Sequence, residues 1–204
     1  MKKTFNLDFC FKGNRKYVQG PDIFDATTEI LSKEFTNITN LKYTAYQMLH
    51  NNATLVITNK FVKKEYEIIN SIIIFFSNEQ KYYAVVCNNG KIINCSTEYS
   101  EKVVENNSEI IENAISFQNT LSYSFTEIVV SMNKYFFNQT IEESGKWIVT
   151  KFDYLYLDDI SNADNVNIKI ELLQNLNNKL TKSKLLLNNK EVGYLYFSLI
   201  PKES

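Results

Sequence analysis

The side chains of this 204-residue chain that are able to do chemistry are few, and most of them gather in one short stretch. His50 is the only histidine. A histidine-based metal centre therefore lacks its second imidazole, and acid–base work by imidazole falls to this residue or to none. It stands at a strand end before Asn51-Asn52. An exposed, hydrogen-bonded ring is the plain reading there, and a base reaching the first helix is the sharper one. Asp25 and Glu29 lie four apart on a predicted helix, a spacing that suits a solvated acidic face near its positive N-terminal end. Arg15 is the only arginine, with Lys16 beside it just ahead of that helix. An ion pair with Asp25 is the simplest use of its charge. Tyr17 and Gln19 alternate with Val18, so they share one face of the extended run that leads in. Cys10, Cys87 and Cys95 form an odd set with no CxxC pair, each in or beside a strand-like segment. Reduced structural thiols are expected, and no metal or other cofactor. For Cys10 a packing role is expected, because a nucleophile needs a base and a lowered pKa that the sequence does not show.

The elements that must position these residues are mostly strands. In Thr4–Lys12, Phe5, Leu7, Phe9 and Phe11 alternate with Thr4, Asn6, Asp8 and Cys10, the mark of a strand with one buried face. Gly13-Asn14 marks a turn. A helix is predicted from Pro21 to about Phe35, with Pro21 at the first position and Ile23, Ala26, Thr27 and Ile30 as its buried stripe. Extended runs follow over Leu41–Leu49, Thr54–Val62, Glu65–Phe76, Lys81–Cys87 and Lys91–Cys95, with turns predicted at Asn51-Asn52, Asn78-Glu79 and Asn88-Asn89-Gly90. Such short connections require antiparallel pairing.

The second half repeats this order. Ile110–Phe117 reads as a strand and Phe125–Phe137 as a helix; Lys146–Leu157, Val166–Asn175, Lys179–Leu187 and Glu191–Ile200 are extended, with a turn at Asn188-Asn189. The expected organisation is α+β, with one unit over 1–97, a polar linker over 98–108 and a second unit over 109–204. Composition narrows the class. The chain is 44% hydrophobic, with 22 basic and 23 acidic side chains, which excludes a disordered chain and argues against a broad nucleic-acid surface. Tyrosines recur at strand spacing, as in Tyr194 and Tyr196, and read as cross-strand packing. The longest apolar run, Ile72–Phe76, is too short to span a bilayer. The 26 asparagines reflect AT-rich coding of a bacterial type, and a cytoplasmic protein is expected.

A strand, one helix and then a meander of long antiparallel strands resembles the hotdog architecture, in which a sheet wraps around a central helix, and whose units pair as dimers or as a fused double hotdog. Gly20-Pro21-Asp22-Ile23-Phe24-Asp25-Ala26-Thr27-Thr28-Glu29 resembles the helix-start segment of β-hydroxyacyl-carrier-protein dehydratases. There a Gly opens the helix, an acid follows five residues later, then a small residue, with a Gln four residues beyond the acid. Gly20, Asp25 and Ala26 match, and Glu29 stands in place of the Gln. The family histidine has no counterpart: about fourteen residues upstream of the acid the chain has Phe11.

The resemblance implies two tandem hotdog-like units and a protein that handles acyl thioesters on coenzyme A or an acyl carrier protein. Asp25 is implied as acid/base or hydroxyl-binding group, with His50 as a substitute base. It implies Gly20 as the amide donor, Tyr17, Gln19 and Glu29 at the substrate, and Arg15 on the phosphates of the carrier arm. Dehydratase or thioesterase chemistry is one reading. A non-catalytic binding or assembly subunit of a fatty-acid, polyketide or secondary-metabolite pathway, with a homodimer as an allowed form, is the other. In the second half, Val129 and Val130 stand where an acid is needed, so that half reads as structural.

Overall fold

The computed structural model describes residues 1–66, 68–118, 123–161 and 166–201. The chain divides into two compact units, Met1–Ser100 and Glu101–Ser204.

The first unit holds β1 (Lys2–Leu7), β2 (Phe11–Lys12), α1 (Gly20–Glu34), β3 (Ile38–Ala45), β4 (Asn51–Thr58), β5 (Ile69–Ser77), β6 (Gln80–Ile92) and β7 (Ser96–Thr97). Its sheet runs β1-β4-β6-β5-β3 with antiparallel neighbours throughout, and among the described residues β1 has a single neighbour, β4. β2 and β7 form a separate parallel pair of two residues each. The turn at Asn78-Glu79 has positive φ at both residues (48° and 66°), the backbone a two-residue hairpin requires and one that Asn tolerates.

Two expected turns are corrected. Asn51-Asn52 opens β4, and Asn88-Asn89-Gly90 lies inside β6. Asn88 and Asn89 do bond the backbone two residues on, at Gly90 N (2.8 Å) and Lys91 N (3.0 Å). That is turn chemistry, but pairing of Ile92 with Asn51 carries the strand past it as an irregularity in register. The buried stripe of α1 is also shifted from expectation. Ile23, Phe24, Thr27, Thr28 and Leu31 are buried, whereas Ala26 and Ile30 are only half-buried. Phe24 meets Tyr43 of β3 edge-to-face at 5.9 Å, so the two large rings set the helix rotation; such a pair is worth about 0.5–1.5 kcal/mol beyond its buried area.

The second unit holds α2 (Lys102–Asn106), β8 (Ser108–Ile111), β9 (Ala114–Gln118), α3 (Phe125–Thr140), β10 (Gly145–Tyr156), α4 (Leu157–Ser161), β11 (Asn167–Leu176), β12 (Leu180–Leu187) and β13 (Lys190–Pro201). Its antiparallel order is β10-β13-β12-β11-β9-β8. The stretch expected as a bare linker, 98–108, carries the short helix α2, whose Val104 is fully buried. α3 packs Phe137 against Trp147 of β10 (4.9 Å) and Phe197 of β13 (5.6 Å). Each unit is therefore a long antiparallel sheet with one long helix against it. No helix among the described residues is long and apolar enough to cross a membrane.

The cysteines depart from expectation. Cys10 and Cys95 form a disulfide, with Cα atoms 4.8 Å apart across 85 residues of sequence, and Cys87 alone is free. Pairing of β2 with β7 brings the two together: Phe11 N donates to Cys95 O (2.9 Å) and Gly13 N to Thr97 O (2.8 Å). An odd cysteine count with no short spacing hides such a pair, because only the fold sets its distance.

Candidate functional site

The segment from residue 9 to residue 19 is held at three points before it becomes α1. Phe9 N donates to Asn52 Oδ1 (2.8 Å). The disulfide ties Cys10 to residue 95. Val18 bridges to Leu49, its N–H donating to the Leu49 carbonyl at 2.8 Å. That last bridge explains where His50 lies. The histidine follows Leu49, its ring is exposed, and Nδ1 sits 2.8 Å from the Lys16 carbonyl. A carbonyl oxygen only accepts, so this bond requires the proton on Nδ1 and leaves the lone pair of a neutral ring on Nε2.

The start of α1 is open. Gln19 occupies the N-cap with extended backbone (φ −74°, ψ 151°), and no side chain caps the helix. Pro21 in the first turn has no N–H to offer. Gln19 itself is buried, Gly20 and Tyr17 half-buried. Asp25 is half-buried one turn further in, and its carbonyl accepts from Thr28 Oγ1 (3.1 Å). Glu29 faces solvent and pairs with Lys33 at 2.6 Å. The hydrogen bond and charge of Lys33 hold its carboxyl below the usual range.

Ahead of the helix lies a charged cluster that sequence reasoning missed. Lys12 Nζ pairs with Asp22 Oδ1 at 2.5 Å, both side chains largely covered, and Asp22 Oδ2 is buried without a hydrogen-bond partner. Lys12 and Arg15 both place their cations 5.3 Å from the ring centre of Tyr99, a cation–π arrangement. Arg15 also donates to the Lys12 carbonyl (3.4 Å). Tyr99 is remote in sequence, so no local pattern announces it. The fold thus gathers His50, Arg15, Tyr17, Gln19 and Gly20 along one segment leading into α1, with Asp25 following on the helix. Glu29 is turned to Lys33 on the open side.

A separate hollow of about 350 Å³ in this unit is lined by residues that include Tyr46, Phe61, Lys63, Tyr66 and Ile72, and by none of the candidate residues. Among the described residues no group of three His, Cys, Asp or Glu side chains converges to hold a metal ion.

Neither a family model nor a curated protein matches the sequence. Solved structures do match in fold. The dehydratase domain of PpsC from Mycobacterium tuberculosis, determined in complex with C12:1-CoA, is 8% identical with a TM-score of 0.54, over 98% of this chain and 93% of that one. The pyran synthase domain from module nine of the sorangicin pathway is 5% identical, TM-score 0.56, over 99% and 94%. A protein assigned as a thioesterase II of Thermobifida fusca is 5% identical, TM-score 0.51, over 98% and 92%. The chain therefore has the hotdog fold of dehydratase domains and thioesterases, at identities that speak for fold alone.

Proposed function

We propose that this chain handles acyl thioesters, binding an acyl group carried on coenzyme A or an acyl carrier protein beside the start of α1. One observation carries the reading: His50 is hydrogen-bonded to the segment that feeds an uncapped helix, with Asp25 half-buried one turn inside it. In this reading the Gly20 region polarises the thioester carbonyl with main-chain amide and helix dipole. His50 Nε2 takes the α-proton, and Asp25 gives a proton to the departing hydroxyl, so that water leaves and a double bond forms. Tyr17 and Gln19 flank the acyl group, and Arg15 meets the phosphates of the carrier arm. The fold neighbours support a substrate of this class, since one of them is bound to an acyl-coenzyme A. The reading also takes the chain as two tandem hotdog-like units, 1–97 and 109–204, joined through 98–108, in a bacterial cytoplasm.

The test is binding and turnover of a panel of acyl- and 3-hydroxyacyl-coenzyme A compounds, by native mass spectrometry and product analysis, on the wild type, Asp25→Asn and His50→Ala. The reading expects turnover to fall at least 100-fold in both variants with melting unchanged. Wild-type binding without turnover leaves the non-catalytic, assembly-subunit alternative. No binding to any compound ends the acyl reading.

A further inference from the structure

The Cys10–Cys95 disulfide is placed asymmetrically with respect to solvent. Cys95 is exposed and Cys10 half-buried. Exposed disulfides are the ones open to exchange, because a thiolate must approach along the S–S axis. The third cysteine is unsuited to take part: Cys87 is half-buried on β6, and burial pushes its thiol up and keeps it protonated.

What the bond holds is local. Phe9 and Val18 are anchored to Asn52 and Leu49 independently of it. Between those anchors, residues 10–15 are tied to residues 95–99 by the disulfide, by two main-chain hydrogen bonds and by the cations of Lys12 and Arg15 on Tyr99. A parallel pair of two residues each is too short to persist alone, and cation–π contacts at exposed sites are worth only about 0.5–1 kcal/mol. Lys12 is also paired with Asp22 of α1, so the crosslink is the one covalent tie among several that position 10–15.

We propose that Cys10–Cys95 is a reversible thiol-exchange site whose partner is a dithiol reductant, and that its redox state sets the order of residues 10–15. A thiolate of the reductant attacks Cys95 Sγ and the S–S bond breaks. The electron pair leaves on Cys10 Sγ, which takes up a proton. The second thiolate of the reductant then attacks the mixed disulfide and releases Cys95, which is protonated in turn. Two electrons and two protons pass to the protein, and the reductant leaves as its own disulfide. Because Arg15 rides on this segment, the exchange also regulates acyl-coenzyme A binding; that consequence alone rests on the function proposed above.

The test is alkylation of the denatured full chain, before and after native treatment with dithiothreitol, counted by mass spectrometry, with amide exchange read on both forms. One label before treatment and three after are expected, with exchange over 10–15 at least tenfold faster and over β3, β4, β5 and β6 unchanged. The double variant Cys10→Ser/Cys95→Ser is expected to reproduce the reduced pattern. Three labels before any reductant, or one label remaining afterwards, overturns the proposal. So does reduction that leaves 10–15 unaltered, or that speeds exchange across the whole first unit, which makes the bond a structural staple. For the dependent consequence, acyl-coenzyme A binding is expected to weaken at least fivefold on reduction. Equal binding in both states removes the regulation, whereas no binding in either state removes the acyl reading and leaves the exchange result standing.

Discussion

The two long helices start in opposite ways. α3 begins at Ser124, whose hydroxyl accepts from Glu127 N (3.1 Å) while the Glu127 carboxylate accepts from Ser124 N (3.1 Å). This reciprocal box satisfies two of the amides that a helix start leaves unpaired. α1 begins at Gln19 with no side-chain cap and with Pro21 in its first turn. Six residues past each N-cap stand Asp25, half-buried, and Val130, buried at 4% exposure. The helix closed by its own side chains is buried all round from Phe125 through Met132, the polar Thr126, Glu127 and Ser131 included. The open one keeps carboxylates on its accessible side. Among the described residues, then, α3 starts on a reciprocal side-chain box and α1 starts without a side-chain cap.

The sharpest way to break this contrast is to exchange the sixth residue. Val130→Asp is expected to cost about 3 kcal/mol or more, because a charge would be buried without a partner. Asp25→Val is expected to cost less stability than Val130→Asp and, on the acyl-thioester reading, to remove turnover. Chemical denaturation of both variants, followed by assay of the second, measures this. A loss above about 1 kcal/mol for Asp25→Val makes Asp25 a structural residue. A smaller effect separates the caps: Ser124→Ala is expected to lose about 1 kcal/mol and Gln19→Ala only a few tenths. Equal losses in urea titrations would mean that the Gln19 position is capped in solution after all.

The smallest effect concerns Glu29. Its folded pKa is depressed by Lys33, so its contribution is present above the ordinary Glu range and fades as pH falls through the folded value. Because the pair is exposed, Glu29→Gln is expected to leave the melting midpoint at pH 7 unchanged within error. Scanning calorimetry at pH 7 and pH 3 checks it, and a drop at pH 7 would give the surface pair more weight than exposed pairs carry.

Much of the scaffold was readable because its signals are local. The Asn78-Glu79 and Asn188-Asn189 turns follow from asparagines that tolerate positive φ, and period-two runs mark most of the paired strands, although the run expected over Thr4–Lys12 divides into β1 and β2 of different sheets. The helix expected from Pro21 to about Phe35 matches Gly20–Glu34 within one residue, since Pro21 favours a first turn. Its buried stripe departs from the helical period because Phe24 meets Tyr43 across 19 residues of sequence, which a local spacing does not encode. The site divides along the same line. Gly20, Asp25 and Arg15 sit within one stretch and are visible there as a group. The approach of His50 to Lys16 depends on the Val18–Leu49 bridge. The Cys10–Cys95 bond and the stacking of Lys12 and Arg15 on Tyr99 depend on the β2–β7 pair. Those contacts span more than 30 residues and have no signature at either end.

The single-neighbour position of β1 has a consequence for handling. An open strand margin invites another chain to add itself, yet Lys2 and Lys3 sit on this one, engaged with Glu65 and Glu34 respectively. A newcomer docking there would have to accommodate both ammonium groups and disturb two ion pairs. Charge on a margin is how sheet proteins stay out of fibrils. Replacing Lys2 and Lys3 by apolar residues is accordingly expected to make the concentrated protein more prone to edge-to-edge association.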